Sequence, residues 1–305
     1  MTIYLINIAY LIFMPVIFSG IIGRVKSIWA GRQGPGLFQP LFDLIKLCKK
    51  GQVISSTATF IFNIAPAVNL AAVITALLLV PINKQSFIGF PGDLIVFAYL
   101  IALGKFFMII GAMDTGSSFE GMGASREAIF TASLEPALFI IFASLAMISG
   151  VYSFFALPSL FGGSAITNLM MVIITAILFL MLIIENCRVP FDDPATHLEL
   201  TMIHEVMVLD NSGPDLAMIN FASSLKMTLF SLLIAMIALP RFLGPVHYFL
   251  ATLAITVSCA VIVGLIESLM SRMKMSYIPL FVFSLVSLAL IVLALAMLII
   301  YGGLQ

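Results

Sequence analysis

The residues able to do chemistry in this chain crowd into one stretch, Glu185 to Gly213, which reads ENCRVPFDDPATHLELTMIHEVMVLDNSG. Glu185, Asp192, Asp193, Glu199, Glu205 and Asp210, with Asp215 just beyond, make up seven of the chain's fourteen carboxylates, and two of its three histidines lie there too. Carboxylates this close in a low-dielectric setting cannot all stay ionised, so the cluster offers proton exchange near neutral pH. The structural alternative is that these acids cap helices, pair with Arg188 and hold a partner subunit. A zinc site is disfavoured, because His204-Glu205 would need a histidine where Val208 stands to complete H-E-x-x-H. His197 and His204 are seven apart with no third ligand, and Cys48, Cys187 and Cys259 form no C-x-x-C pair, so neither a metal nor an iron–sulfur cluster is expected in the chain.

What must position these groups is a membrane domain. The 305 residues are 62% hydrophobic and only 9% charged, with a mean hydropathy of +1.20, whereas soluble proteins carry roughly 25% charged residues. Each spanning helix needs about 20 apolar residues, so the chain has room for roughly eight spans and no soluble domain, a single polytopic unit over 1–305. A formal net charge of zero gives no reason to expect nucleic acid. The N-terminal apolar run lacks a charged leader region and an A-x-A cleavage site, so it reads as a retained first helix.

Apolar runs predict spans over about 2–23, 60–82, 93–113, 126–151, 166–184, 216–239, 246–267 and 277–301. The loops after spans one, three, five and seven hold ten Lys/Arg and the opposite loops only Lys84 and Arg241, so the positive-inside rule puts those four loops in the cytoplasm and both termini outside. The first of these loops carries Arg24, Lys26, Arg32, Lys46, Lys49 and Lys50. Pro40 there opens a short amphipathic helix with Leu41, Leu44, Ile45 and Cys48 at helical spacing. In the charged stretch, Asp193-Pro194 reads as an N-cap and first turn of a helix running to about Leu209. One polar stripe would hold His197, Thr201, His204 and Glu205, and a second Glu199 and Asp210, as for a helix enclosed by protein.

Inside the spans, Lys105, Glu135 and Lys226 are the informative residues, since a charge at mid-membrane costs at least about 2.5–3.5 kcal/mol. The plain reading is one structural pair, such as Lys105 with Glu135. The functional reading is a polar path leading inward from the loop cluster.

Several segments resemble the subunit 1 family of respiratory complex I, the NADH-quinone oxidoreductase of respiratory membranes. They are Arg32-Gln33-Gly34-Pro35-Gly36 with Gln39-Pro40 and Asp43-x-x-Lys46, Gly123-Ala124-Ser125-Arg126 through Ser133-x-Glu135, and Glu185-x-x-Arg188-x-Pro190-Phe191-Asp192 through Glu199-Leu200 and Ser212-Gly213. The loop from Asp192 to Glu205 is more similar to the branch found in group 4 [NiFe]-hydrogenases of the hydrogenase-4 and formate hydrogenlyase type. Quinone-reducing members usually have carboxylates where this chain has Ala195 and His197. The resemblance implies a non-catalytic subunit in the cytoplasmic (inner) membrane of a prokaryote. It would join hydrogenase large and small subunits, which hold the [NiFe] centre and [4Fe-4S] clusters, to antiporter-like membrane subunits. It also implies proton-relay or coupling roles for Arg126, Glu135, Glu185, Arg188, Asp192, Asp193 and Glu199, to which the residues themselves add Glu205, Asp210, Lys105 and Lys226. Arg24, Arg32, Lys46, Lys49 and Lys50 would dock the partner arm. A quinone-site subunit and a stand-alone ion transporter are the alternatives.

Overall fold

Each long apolar run folds as a helix, because inside a bilayer only a helix or a closed barrel satisfies every backbone N–H and C=O. The structure, a computed structural model, describes residues 2–84, 86–154, 157, 164–192, 202–240 and 242–301. The helices are α1 Thr2–Trp29, α2 Gln39–Cys48, α3 Phe60–Leu79, α4 Asp93–Asp114, α5 Ser118–Ser149, α6 Ala165–Glu185, α7 His204–Met207, α8 Gly213–Ala238, α9 Pro245–Leu269 and α10 Ile278–Tyr301. Among the described residues there is no strand, and eight helices are long and apolar enough to cross a membrane.

The eight expected spans all form. Two are longer than the hydropathy predicts: α1 continues past Arg24 to Trp29, and α5 begins at Ser118, eight residues before Arg126. Prolines 15, 66 and 136 stay inside helices, as neighbouring helices allow in membrane bundles. At the start of α3 the Thr59 hydroxyl caps Ile61 N–H, and Asp114 at the end of α4 accepts from Thr59 N at 2.7 Å and Phe62 N at 3.3 Å. A carboxylate thus sits at a helix N-terminus, where the free amides and the helix dipole favour it.

The most enclosed span is α8, which packs against α1, α2, α3, α6 and α9, while α10 closes against α5 and α6. Its start is fixed by Gly213, at φ +54°, where a Cβ would also run into the carbonyls of Lys50 and Gly51. Only glycine meets both demands. The loop before α3 is thereby laid along this end of α8, with Ser212 Oγ accepting from Val53 N at 3.0 Å and Gln52 donating to Asp215. As expected, α2 is amphipathic and starts at proline. Its Leu41, Leu44 and Leu47 are half-buried, whereas Phe42, Ile45 and Cys48 are exposed.

The helix expected from Asp193 to Leu209 is interrupted. Met202 and Ile203 are not helical, and helix resumes for one turn as α7. Asp192 supplies the reason, because its Oδ2 accepts from Ile203 N at 2.9 Å and His204 N at 3.1 Å, amides that a continuous helix would need for its own ladder. The α7 turn then lies against α5 at Gly123, where a Cβ would strike Val206 and the backbone of Ile203 and Met207. Asp193, His197, Glu199 and Thr201, and with them the proposed cap and most of both stripes, lie outside the described residues, as does Arg241.

Candidate functional site

Four buried ionisable side chains from four spans meet between α4, α5, α6 and α8. Lys105 Nζ on α4 lies 2.5 Å from Glu127 Oε1 on α5 and 3.1 Å from Glu185 Oε2 at the end of α6. Lys226 Nζ on α8 lies 3.6 Å from Glu185 Oε1. Two carboxylates therefore face two ammonium groups in a setting where isolated charges are strongly penalised. The simple Lys105–Glu135 pair does not form. Lys105 is held by Glu127 and Glu185 instead, because Glu127 is two turns nearer the start of α5 and packing brings that level of the helix beside Lys105.

Glu135 stands half-buried beside this cluster. It shares a cavity with Lys105, Thr131 and Glu185, and on its other side meets a groove lined by Tyr99, Leu103 and Phe106, all exposed. Glu127, Thr131 and Glu135 recur every fourth residue on α5, a polar stripe along one side of a helix that is otherwise apolar beyond this level.

On the other side of the ion pairs, a polar vestibule is lined by Asn186, Cys187, Arg188, Asp192, His204 and Glu205. Cys187 links the two regions, with its Sγ 3.8 Å from Glu127 Oε2. Burial pushes the Cys187 thiol up, with the nearby Glu127 acting the same way, so it is a neutral donor here. Burial also lowers the pKa of His204, against the opposing pull of Glu127, and keeps the imidazole neutral at pH 7. Asp192 is almost fully enclosed and anchors Arg272 Nη2 at 2.8 Å. Arg126 Nη1 donates to the Met202 carbonyl at 2.7 Å, tying α5 to the same turn.

The remaining expected residues are dispersed. Arg188 does not pair with the acids of its own loop. It meets the enclosed Glu267 of α9 at 3.3 Å, which Lys26 of α1 also reaches at 2.9 Å. Asp210 is exposed, and its backbone N–H donates to the buried Glu120 at 2.9 Å. Arg24, Arg32, Lys46, Lys49 and Lys50 all reach solvent, Arg24 on the flank of α1 and the others around α2. Sequence reasoning noted Glu127 without placing it in the site, although its i, i+4, i+8 spacing with Thr131 and Glu135 was a readable signal. Glu267 and Cys187 had no such signal. Among the described residues no group of three His, Cys, Asp or Glu side chains could hold a metal ion.

An all-α multi-pass bundle threaded by buried ion pairs defines a membrane subunit of a charge-handling complex rather than an enzyme with its own pocket. The family model for NADH dehydrogenase matches residues 1–301, and the chain belongs to that family, the complex I subunit 1 type, whose members are membrane subunits of oxidoreductase complexes. It is 29% identical to hydrogenase-4 component C of Escherichia coli K12 over 75% of this chain and 72% of that protein. Formate hydrogenlyase subunit 4 of the same strain is 35% identical over 40% of each chain. A membrane subunit of the NADH-quinone oxidoreductase of Orientia tsutsugamushi (strain Boryong) is 28% identical over 70% of this chain and 60% of that one. Among solved structures, a chain of an archaeal membrane-bound sulfane sulfur reductase, a respiratory membrane complex, shares the fold with a TM-score of 0.80. The match covers 97% of this chain and 100% of that chain at 20% identity.

Proposed function

We propose that this chain is the anchoring and ion-coupling subunit of an energy-converting complex of the group 4 [NiFe]-hydrogenase kind, the hydrogenase-4 or formate hydrogenlyase type. One observation carries the reading: ionisable groups run from the vestibule at Asp192, His204 and Glu205, past Cys187 and Glu127, through Lys105, Glu185 and Lys226 to Glu135. Such a column lets a change of charge at the loop end alter the protonation or ion occupancy of a carboxylate deep in the membrane. Its members move charge and carry no redox chemistry, which would reside in partner subunits with the [NiFe] centre and [4Fe-4S] clusters. The similarity to hydrogenase-4 component C supports the choice of complex.

In this reading the single membrane domain sits in the cytoplasmic membrane of a prokaryote with both termini outside. The basic residues Arg24, Arg32, Lys46, Lys49 and Lys50 and the loop with Asp193 and Glu199 dock the hydrogenase large and small subunits, and antiporter-like subunits pack against the spans. The vestibule's polar wall suits water and protons better than an isoprenoid tail, so a quinone site ranks second. A stand-alone transporter ranks third, because the chain's family members are subunits of complexes. The test is replacement of Glu135, Glu185 or Glu199 by glutamine in the assembled complex. We expect hydrogen-linked ion gradients to collapse while the complex still assembles. Normal hydrogen evolution together with normal gradients in all three variants would end the coupling proposal.

A further inference from the structure

Three carboxylates and two ammonium groups meet in the interior, and their charges do not cancel. Lys105 and Lys226 are engaged by Glu127 and Glu185, which leaves Glu135 with no cation within ion-pairing distance among the described residues. An ionised carboxylate in that position is strongly disfavoured unless a proton or a counter-cation joins it.

The groups around Glu135 are oxygens in need of a partner. Thr131, one turn earlier, is 8% exposed, and its hydroxyl makes no hydrogen bond. Buried hydroxyls rarely stay so, and a helical serine or threonine usually donates to the carbonyl four residues back. Ser133, Ser144 and Ser149 on the same helix do just that. Glu185 Oε1, on the same cavity, also lacks a hydrogen bond. Pro136 has no N–H to offer, so the Ala132 carbonyl beside Thr131 loses its helical donor. The cavity these residues share measures about 20 Å³, room for one water-sized body.

From these features we infer that the cavity between Thr131, Glu135 and Glu185 binds one dehydrated sodium ion. The oxygens are hard donors. The side chains lining the cavity otherwise offer only the Lys105 ammonium, which cannot ligate, and the single Met181 thioether, too weak to hold a soft transition metal alone. A single uncompensated negative charge calls for a monovalent ion, and a space of one water favours sodium over potassium. Helices broken by proline, with carbonyls freed, are where membrane proteins coordinate sodium. Lys105 lines the same cavity, so a shift of its ammonium toward Glu135 supplies the same charge and expels the ion. The inference rests on the coupling reading and names the ion handled at Glu135.

The experiment uses inverted membrane vesicles containing the assembled complex and dicyclohexylcarbodiimide, an apolar reagent that attacks protonated carboxyl groups. It can reach Glu135 through the exposed groove of Tyr99, Leu103 and Phe106. Labelling is located by mass spectrometry at fixed pH and ionic strength while sodium replaces choline. We expect Glu135 to be labelled and sodium, but not potassium, to protect it saturably. Thr131→Val should raise the sodium concentration for half-protection at least tenfold, and Glu135→Gln should abolish the label. Labelling indifferent to sodium, equal protection by potassium, an unchanged midpoint in Thr131→Val, or no labelling of Glu135 overturns the site. If labelling is indifferent to sodium while Glu135→Gln still abolishes the ion gradient, coupling survives and the sodium assignment alone falls.

Discussion

Replacing Lys105 by methionine removes the cation that Glu127 ion-pairs with, while Glu185 keeps Lys226 at 3.6 Å. Methionine nearly preserves length and volume, so the change is chiefly electrostatic. Breaking a buried pair by removing one partner costs about 3–5 kcal/mol, since the other charge is left uncompensated. Glu127 is 4% exposed and Glu185 6%, so water offers little relief, and the upper part of that range is expected. Adding Glu127→Gln to Lys105→Met restores two opposed charges, Glu185 and Lys226, and should recover at least about 2 kcal/mol of the loss, the non-additivity of a coupled pair. The assay is apparent thermal stability in detergent, read from size-exclusion recovery after heating of wild type, both single variants and the double variant. Exposed Lys46→Met, whose partner Asp43 is 4.0 Å away, serves as a control with no expected change. Strictly additive losses in the double variant would refute the idea that Lys105 and Glu127 neutralise each other.

Three further outcomes follow from the geometry. Gly213→Ala forces a left-handed backbone on a Cβ that meets the carbonyls of Lys50 and Gly51, so it should cost more than about 2 kcal/mol and speed proteolysis of the loop before α3. Glu267→Gln removes the charge that Lys26 and Arg188 share, and should lower stability by about 2 kcal/mol and loosen α1 from α9, read as faster hydrogen exchange at the end of α1. His204 has a folded pKa below its unfolded value of about 6.5, so the unfolded chain binds the extra proton. Stability is thus whole above about pH 6.5 and declines as pH falls through the folded value. His204→Gln should flatten that slope between about pH 7 and 5, and an unchanged slope would exclude His204 as its source.

How much could be read beforehand depended on the range of the forces involved. The spans were legible because the bilayer imposes a length of about 20 residues on each, a demand every apolar run states locally. The density of charge in 185–213 was equally visible, as was the presence of Lys105, Glu135 and Lys226 in apolar surroundings. Pairing was not legible, because which carboxylate Lys105 meets depends on how α4, α5 and α6 pack. Glu127 rather than Glu135 comes level with it. The break at Met202–Ile203 was hidden for a related reason: Asp192 takes two amides eleven and twelve residues away, and no local propensity announces that.

The four interior charges also bear on how the chain is made. A bundle enters the membrane helix by helix from the ribosome, and each ionisable group must be tolerated before its partner arrives. Along the chain the order is Lys105, Glu127, Glu185, Lys226, that is plus, minus, minus, plus. The running imbalance of these four therefore never exceeds one unit during synthesis, and each stranded charge is relieved within one or two further helices. Moving Lys226 to an earlier span would not alter the finished balance, but it would leave two like charges waiting together in the growing bundle.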